Sequence, residues 1–193
     1  MVHAQRMRMR MRTFYSPTCA WRVYVFSHAR VQVEIPQAVA VVYKPAGIHT
    51  KSGTHRKHAA LEDALTALLS PPVDSTLDAL PLPLAMHRLD VPVAGLCLVA
   101  KTRSAAVEVA RQFADREVHK VYHALLVGVP PENHMRVCEP IDGLPAETTL
   151  DVLSVTPHAQ WHAVTTVRLM PHTGRTHQLR VHAAGLGCPI VGE

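Results

Sequence analysis

The sequence predicts an α+β fold: a mixed, mainly antiparallel sheet flanked by a few helices. Three observations lead there. Short runs rich in Val, Leu and Thr outnumber the stretches with helical spacing. Apolar residues make up 48% of the 193, enough for a substantial core and too many for a disordered chain. No run approaches the roughly 18 apolar residues of a membrane-spanning helix. One domain is expected at this length, although a two-lobed body would also fit.

Residues 1–33 open with alternating Arg and Met and contain no acid. They read as a basic arm that is disordered, serves organelle targeting, or belongs to no fold; without an uninterrupted apolar core they are no secretory signal. A folded domain is expected over 34–193. The Val-rich run from Ala38 to Tyr43 reads as a strand, ended by Lys44-Pro45-Ala46-Gly47. His58 to Leu69 reads as a helix, with Leu61, Leu65, Leu68 and Leu69 on one side and Pro71-Pro72 as its stop. Thr76 to Pro83, rich in Pro and Leu, reads as a connector.

Val93 to Ala100 is apolar enough for a buried strand, and Ser104 is placed to cap a helix through Asp115 that turns Val109 and Phe113 inward. Val118 to Val127 returns as a strand, while the prolines of Pro130 to Pro145 predict irregular chain. Thr148 to Val155, His162 to Leu169 and Leu179 to His182 read as extended, separated by turns at Pro157-His158 and Pro171 to Gly174. Gly187 to Glu193 follows a small apolar stretch without capping, so a fold cut at its C-terminus is expected.

The net charge of +5 is unevenly placed. All 15 acidic residues lie at Glu34 or later, whereas six of the 20 Lys and Arg precede it. The first 33 residues therefore carry +6 and the body −1. Any contact of the body with nucleic acid must come from local placement of Arg and Lys, strengthened by the basic arm. Twelve of the 14 His residues also sit in the body, so its charge rises as pH falls toward about 6. Cys19, Cys97, Cys138 and Cys188 are too scattered for a disulfide framework or a CxxC knuckle, which suits a reducing compartment.

Three segments pair a strand-like stretch with polar residues that packing does not require. In His87-Arg88-Leu89-Asp90, a carboxylate and a guanidinium stand two apart just ahead of a strand. They are either chemistry or an ordinary ion pair at a strand entrance. A carboxylate held there can act as nucleophile or base, and needs a cationic neighbour if water is excluded. In Arg116 to Gly128, Tyr122 is either packing or a ring that stacks on a base and handles a proton. Lys120, two positions before it, points the same way. In Pro171 to Gly192, an extended reading sends Gln178, Arg180 and His182 to one face, either solvated or functional, with Arg180 the best partner for Asp90. Gly174-Arg175-Thr176 is a turn whose Arg175 suits a phosphate.

Other chemistry finds less support. His172, His177 and His182 are five apart and alternate faces of a strand, no HExxH occurs and no cysteine pair accompanies them, so no metal site is expected. There is no GxSxG elbow and no glycine-rich phosphate loop.

Taken together, VVYKPAGI, HRLDVPVAGLCLVAKT, REVHKVYHALLVG and PHTGRTHQLRVHAAGLGCPIVG resemble the RluA-type family of RNA pseudouridine synthases. The similarity runs from about Val39 to Gly192. It implies a mixed-sheet catalytic domain over 34–193 that isomerises uridine to pseudouridine in structured RNA, ribosomal or transfer, without cofactor or metal. It also implies a monomer with no membrane association, in the cytoplasm, or in an organelle if the arm is a targeting segment. Asp90 is similar to the family's essential aspartate, Tyr122 to its tyrosine and Arg180 to the arginine paired with the aspartate. Arg88 is similar to a residue that contacts RNA and occupies the space of a flipped uridine, with His87, Lys120 and Arg175 as further RNA contacts. The chain departs from the pattern at Val93-Ala94, where Thr-Ser is usual, in a shorter Gly128 to Thr148 connector, and at Glu193, where Asp is common. Later sheet strands and an S4-type domain are not recognisable. The alternative reading is an inactive or truncated RNA-binding member of the same fold.

Overall fold

The computed structural model describes residues 3–8, 25–26, 29–35, 38–52, 59–72 and 78–192. The expected arm therefore lies largely outside the described residues, and the boundary expected at residue 34 falls inside a strand. In chain order the elements are β1 (His3–Arg8), β2 (Val25–Phe26), β3 (Ala29–Ile35), β4 (Val39–Lys44), α1 (Leu61–Leu68), β5 (Ala79–Ala85) and β6 (Ala94–Thr102). There follow α2 (Arg103–Ala114), β7 (His119–Val127), β8 (His134–Val137), β9 (Thr148–His158), β10 (His162–Pro171) and α3 (Gln178–Gly185). Two compact units emerge, one of Met9–Val118 and one of Met1–Arg8 with His119–Glu193. Among the described residues no helix is long and apolar enough to cross a membrane.

The Met9–Val118 unit is an antiparallel sheet in the order β2-β3-β4-β6, with β5 also on β6. Its centre is β6, nearly all of it buried, which is why that segment reads as a continuous apolar run rather than an alternating one. α1 buries Leu61, Leu65 and Leu68, each 2% exposed or less, a gain of about 1.5–3 kcal/mol per side chain. His58, the expected helix start, lies outside the described residues. The first helical amides of Leu61 and Glu62 are taken by the His49 and Thr50 carbonyls, which supplies the cap that Ala60 cannot.

Two local expectations change here. Ala79–Ala85 is strand, not connector: its prolines are tolerated because β5 pairs with β6 irregularly, with a register shift between Ala79 and Leu84. Thr102, not Ser104, caps α2, its hydroxyl accepting from the Ala105 amide at 3.2 Å. The strand runs straight into the helix, so the last extended residue becomes the cap, and Ser104 instead bonds Asp78 through both its amide and its hydroxyl. Val109 is buried as expected, and Phe113 is partly so.

The second unit is an antiparallel sheet in the order β1-β7-β10-β9-β8. Leu126, Leu150, Val167, Leu169 and Ile190 form its core. β7 has β10 along one edge; on the other, β1 covers His119 to His123, and Pro189 to Val191 bond to Leu125 and Val127. The expected irregular Pro130 to Pro145 region holds β8 and a tight Ile141–Leu144 hairpin. Asp142 and Gly143 at its tip have φ of 53° and 73°, the left-handed pair that an Asp-Gly dipeptide favours.

The largest difference is at Gln178 to His182, expected as extended and found as α3. The helix ends in a Schellman arrangement: Gly187 sits at φ 71°, and the Gly187 and Cys188 amides bond the Ala184 and Ala183 carbonyls. Leu179 and Val181 suggested an alternating strand, but the buried residues are Gln178, His182 and Ala183, the first two four apart on one helical face. Arg180 lies between them, so the shared polar face expected of a strand does not exist.

Across β8, β9 and β10, the Asp151 carboxylate accepts His134 Nδ1 at 2.5 Å and Arg168 Nη2 at 2.6 Å. Burial raises its pKa, but the hydrogen bonds from His134 and Arg168 outweigh burial and leave it below the ordinary value. A depressed carboxylate contributes stability that is present above its unfolded pKa and lost as pH falls through the folded one. Urea unfolding between about pH 5 and pH 2 is therefore expected to show a shallower acid decline in Asp151→Asn; an identical decline would refute this.

Candidate active site

Asp90 sits in the loop between β5 and β6, and its backbone neighbours are tied on both sides. The Leu89 amide donates to Thr50 Oγ1 at 2.9 Å, and that hydroxyl donates to the Leu89 carbonyl at 2.7 Å. Beyond Asp90, the Val91 carbonyl accepts the Gly47 amide at 2.7 Å, and the Asp90 carbonyl accepts the Val93 amide at 3.0 Å. Gly47 has φ 90°, a conformation that explains a glycine at this turn. Lys44, fully buried at the end of β4, donates to the Pro45 and Ile48 carbonyls at 2.8 Å and reaches Val91 O at 3.5 Å. Burial lowers its pKa, opposed by the fields of Cys97 and Asp90. Burial pushes the Cys97 thiol up to about 12.

Arg88 and Asp90 do meet, Nη2 to Oδ1 at 3.9 Å, but Arg88 is 71% exposed. Such a pair contributes about 0–1 kcal/mol, so it does little to hold the aspartate, whereas the backbone ties hold its loop. Arg88 remains open to solvent. His87 is engaged internally: its Nε2 accepts the Leu98 amide at 3.1 Å and its ring lies 5.5 Å from that of Phe113.

Tyr122, Lys120, Arg175 and Arg180 belong to the other unit. Tyr122 is partly buried in β7, opposite Leu169 of β10. Lys120 donates to the Thr173 carbonyl at 3.3 Å, and burial lowers its pKa. Arg175 is held by its Nε to the Pro145 carbonyl at 3.0 Å.

The turn carrying Arg175 is ordered by a buried polar network. Gln178 Oε1 accepts Thr173 Oγ1 at 2.7 Å and the Arg175 amide at 3.0 Å, while Nε2 donates to the Glu147 carbonyl at 2.8 Å and Thr148 Oγ1 at 3.0 Å. Thr148 Oγ1 also bonds His182 Nδ1 at 3.0 Å, and His182 Nε2 donates to the Glu139 carbonyl at 3.0 Å. Every member of the network has a partner. Arg180 Nη1 lies 3.3 Å from His177 Nδ1. A guanidinium only donates, so that nitrogen accepts. His177 itself holds φ 53° ahead of α3, a conformation uncommon outside glycine and frequent at functional sites.

Within single units, then, the structure joins Arg88 to Asp90, Lys120 to the Thr173–Arg175 turn, and Arg180 to His177. The supporting residues Lys44, Thr50 and Thr148 were not singled out in the sequence. Lys44 before Pro-Ala-Gly was the one detectable sign, a charge closing an otherwise apolar strand.

Comparison with solved structures gives the class: the fold is that of the pseudouridylate synthases. The human RNA Pseudouridylate Synthase Domain Containing 1 superposes over 89% of this chain and 66% of its own, with TM-score 0.64 and 28% identity. Residues 38–185 match the RNA pseudouridylate synthase family, and the chain belongs to that family. A dual-specificity RNA pseudouridine synthase RluA from Vibrio vulnificus is 30% identical over 96% of this chain and 73% of its own length. A ribosomal large subunit pseudouridine synthase D from Xanthomonas campestris is 32% identical over 80% of this chain and 48% of its own. The resemblance carried by the motifs and the α+β expectation both hold.

Proposed function

We propose that the chain converts specific uridines to pseudouridine in structured RNA, ribosomal or transfer, acting as a monomer through residues 34–193. What supports this most is Asp90: a carboxylate in the family's HRLD motif whose flanking peptides are held by Thr50 and Gly47 while its side chain stays 21% exposed. A group that must meet a flipped nucleoside has to be both fixed and reachable. The names of the relatives supply the RNA classes.

The reaction breaks the N1 to C1′ bond, turns the uracil, and joins C5 to C1′; the C5 proton leaves and N1 regains one. Asp90 acts on the nucleoside, Tyr122 assists loss of the C5 proton, and Arg180 offsets the charge of Asp90. Arg88, Lys120 and Arg175 contact RNA. We assign His87, whose ring is occupied by Leu98 and Phe113, to supporting the Asp90 loop rather than to RNA.

Incubating the purified chain with bulk RNA and mapping pseudouridine tests the reading. New sites that disappear with Asp90→Ala are expected, and identical maps would reject catalysis. Arg180→Ala is expected to suppress turnover and weaken folding, with a coupling to Asp90→Asn of about 0.5–3 kcal/mol in a double-mutant cycle. Purely additive stability changes would remove the pairing.

A further inference from the structure

We infer that Thr50 is a positioning residue for the reaction, holding the Asp90 carboxylate in register through the Leu89 peptide. The role rests on the isomerase reading above. Thr50 is 3% exposed, and its single hydroxyl both accepts from the Leu89 amide and donates to the Leu89 carbonyl. Both polar groups of the residue immediately before Asp90 thus end on one side chain. Leu89 is itself buried, so water is a poor substitute for that hydroxyl.

Thr50 is in turn anchored. Its carbonyl accepts the Glu62 amide at 3.2 Å, and the adjacent His49 carbonyl accepts the Leu61 amide at 2.8 Å, so the first turn of α1 holds this segment. α1 is seated by Leu61, Leu65 and Leu68 in the core. A chain of contacts therefore runs from packed helix to Thr50 to Leu89 to Asp90. On the far side, the Val91 carbonyl is bonded by Gly47, from the same Lys44–Thr50 turn. One turn grips the peptides before and after the carboxylate, and the exposed Arg88 pair at 3.9 Å cannot do this work. A displacement of about 1 Å at a reacting group costs on the order of 100-fold in rate, which sets the size of the effect.

Thr50→Val keeps the shape and removes the hydroxyl; Thr50→Ser keeps the hydroxyl. The probe is bulk RNA labelled with 5-tritiated uridine from cells lacking this chain, and tritium release is followed with enzyme in excess. Thr50→Val is expected to lower the maximal single-turnover rate about 100-fold while the half-saturating enzyme concentration moves less than about threefold. Thr50→Ser is expected to stay within about threefold of the unsubstituted chain in both. Hydrogen exchange at the Leu89 amide, normalised to the α1 amides, is expected to speed up in Thr50→Val and not in Thr50→Ser.

The role is overturned if Thr50→Val retains its rate, if Thr50→Ser loses as much as Thr50→Val, or if rate and affinity fall together. Unchanged Leu89 exchange in Thr50→Val overturns the clamp itself. Failure of the isomerase reading shows differently, as no release from the unsubstituted chain whatever the Leu89 amide does, and removes the role with it.

Discussion

Asp90→Ala is expected to lower the rate of uridine isomerisation about a thousand-fold, within the range for loss of a group that acts directly on the substrate, and to change RNA affinity less than about fivefold. The asymmetry follows from the geometry. Alanine removes the carboxylate but none of the backbone ties at Leu89, Val91 and Val93, which do not involve the side chain. The Arg88 partnership it also removes is long and exposed. The loop therefore keeps its backbone ties, and Arg88 stays available to RNA. Binding is measured by filter retention or anisotropy on the same RNA used for turnover. A proportional fall in both quantities would mean that Asp90 serves binding.

Gln178→Leu is expected to destabilise the second unit by about 1–3 kcal/mol, because a buried donor or acceptor left unsatisfied costs about that much. Not all four partners lose everything. Thr148 Oγ1 keeps His182, Thr173 Oγ1 keeps the Glu147 amide and the Glu147 carbonyl keeps the His172 amide, whereas the Arg175 amide loses its bond to Gln178. Leucine, similar in size, leaves packing nearly intact, so the loss comes from the polar network rather than from a cavity. Urea unfolding checks it, and a loss below about 1 kcal/mol would show that the network is replaceable by water or by rearrangement.

Strands β4, β6, β7, β9 and β10 were legible because each is a β-branched or apolar run bounded by a turn residue, and nothing in their surroundings reverses that preference. α3 was not. Its inward face carries Gln178 and His182 beside Ala183, and a reading that sends large apolar residues inward must misplace a helix whose buried side is mostly polar and satisfied by Thr148, Glu147 and Glu139. The clearer sign was downstream, at Gly185-Leu186-Gly187, where glycine supplies a helix end. β5 was hidden by Pro81 and Pro83, which forbid a regular ladder but not an irregular one. Among the proposed site residues, Asp90, Tyr122 and Arg180 were marked by motif. Thr50 carries no such mark, since a threonine six residues after Lys44 acquires its role only when the loop folds back onto Leu89.

The way β7 is flanked has a consequence for how the chain reaches this state. One edge of a single strand is completed by His3–Arg8 over its first half and by Pro189 to Val191 near its end, so partners separated by well over a hundred residues must wait for each other. At about 5–20 residues per second of synthesis, β1 emerges several seconds or more before His119 to His123 exist to receive it. Closing so long a loop carries an entropic cost that grows only slowly with its length, but contacts of this separation are the slow ones in folding. The contiguous Met9–Val118 stretch can form its own ladder meanwhile. The unit bearing Tyr122 and Arg180 is thus expected to assemble after the Met9–Val118 unit.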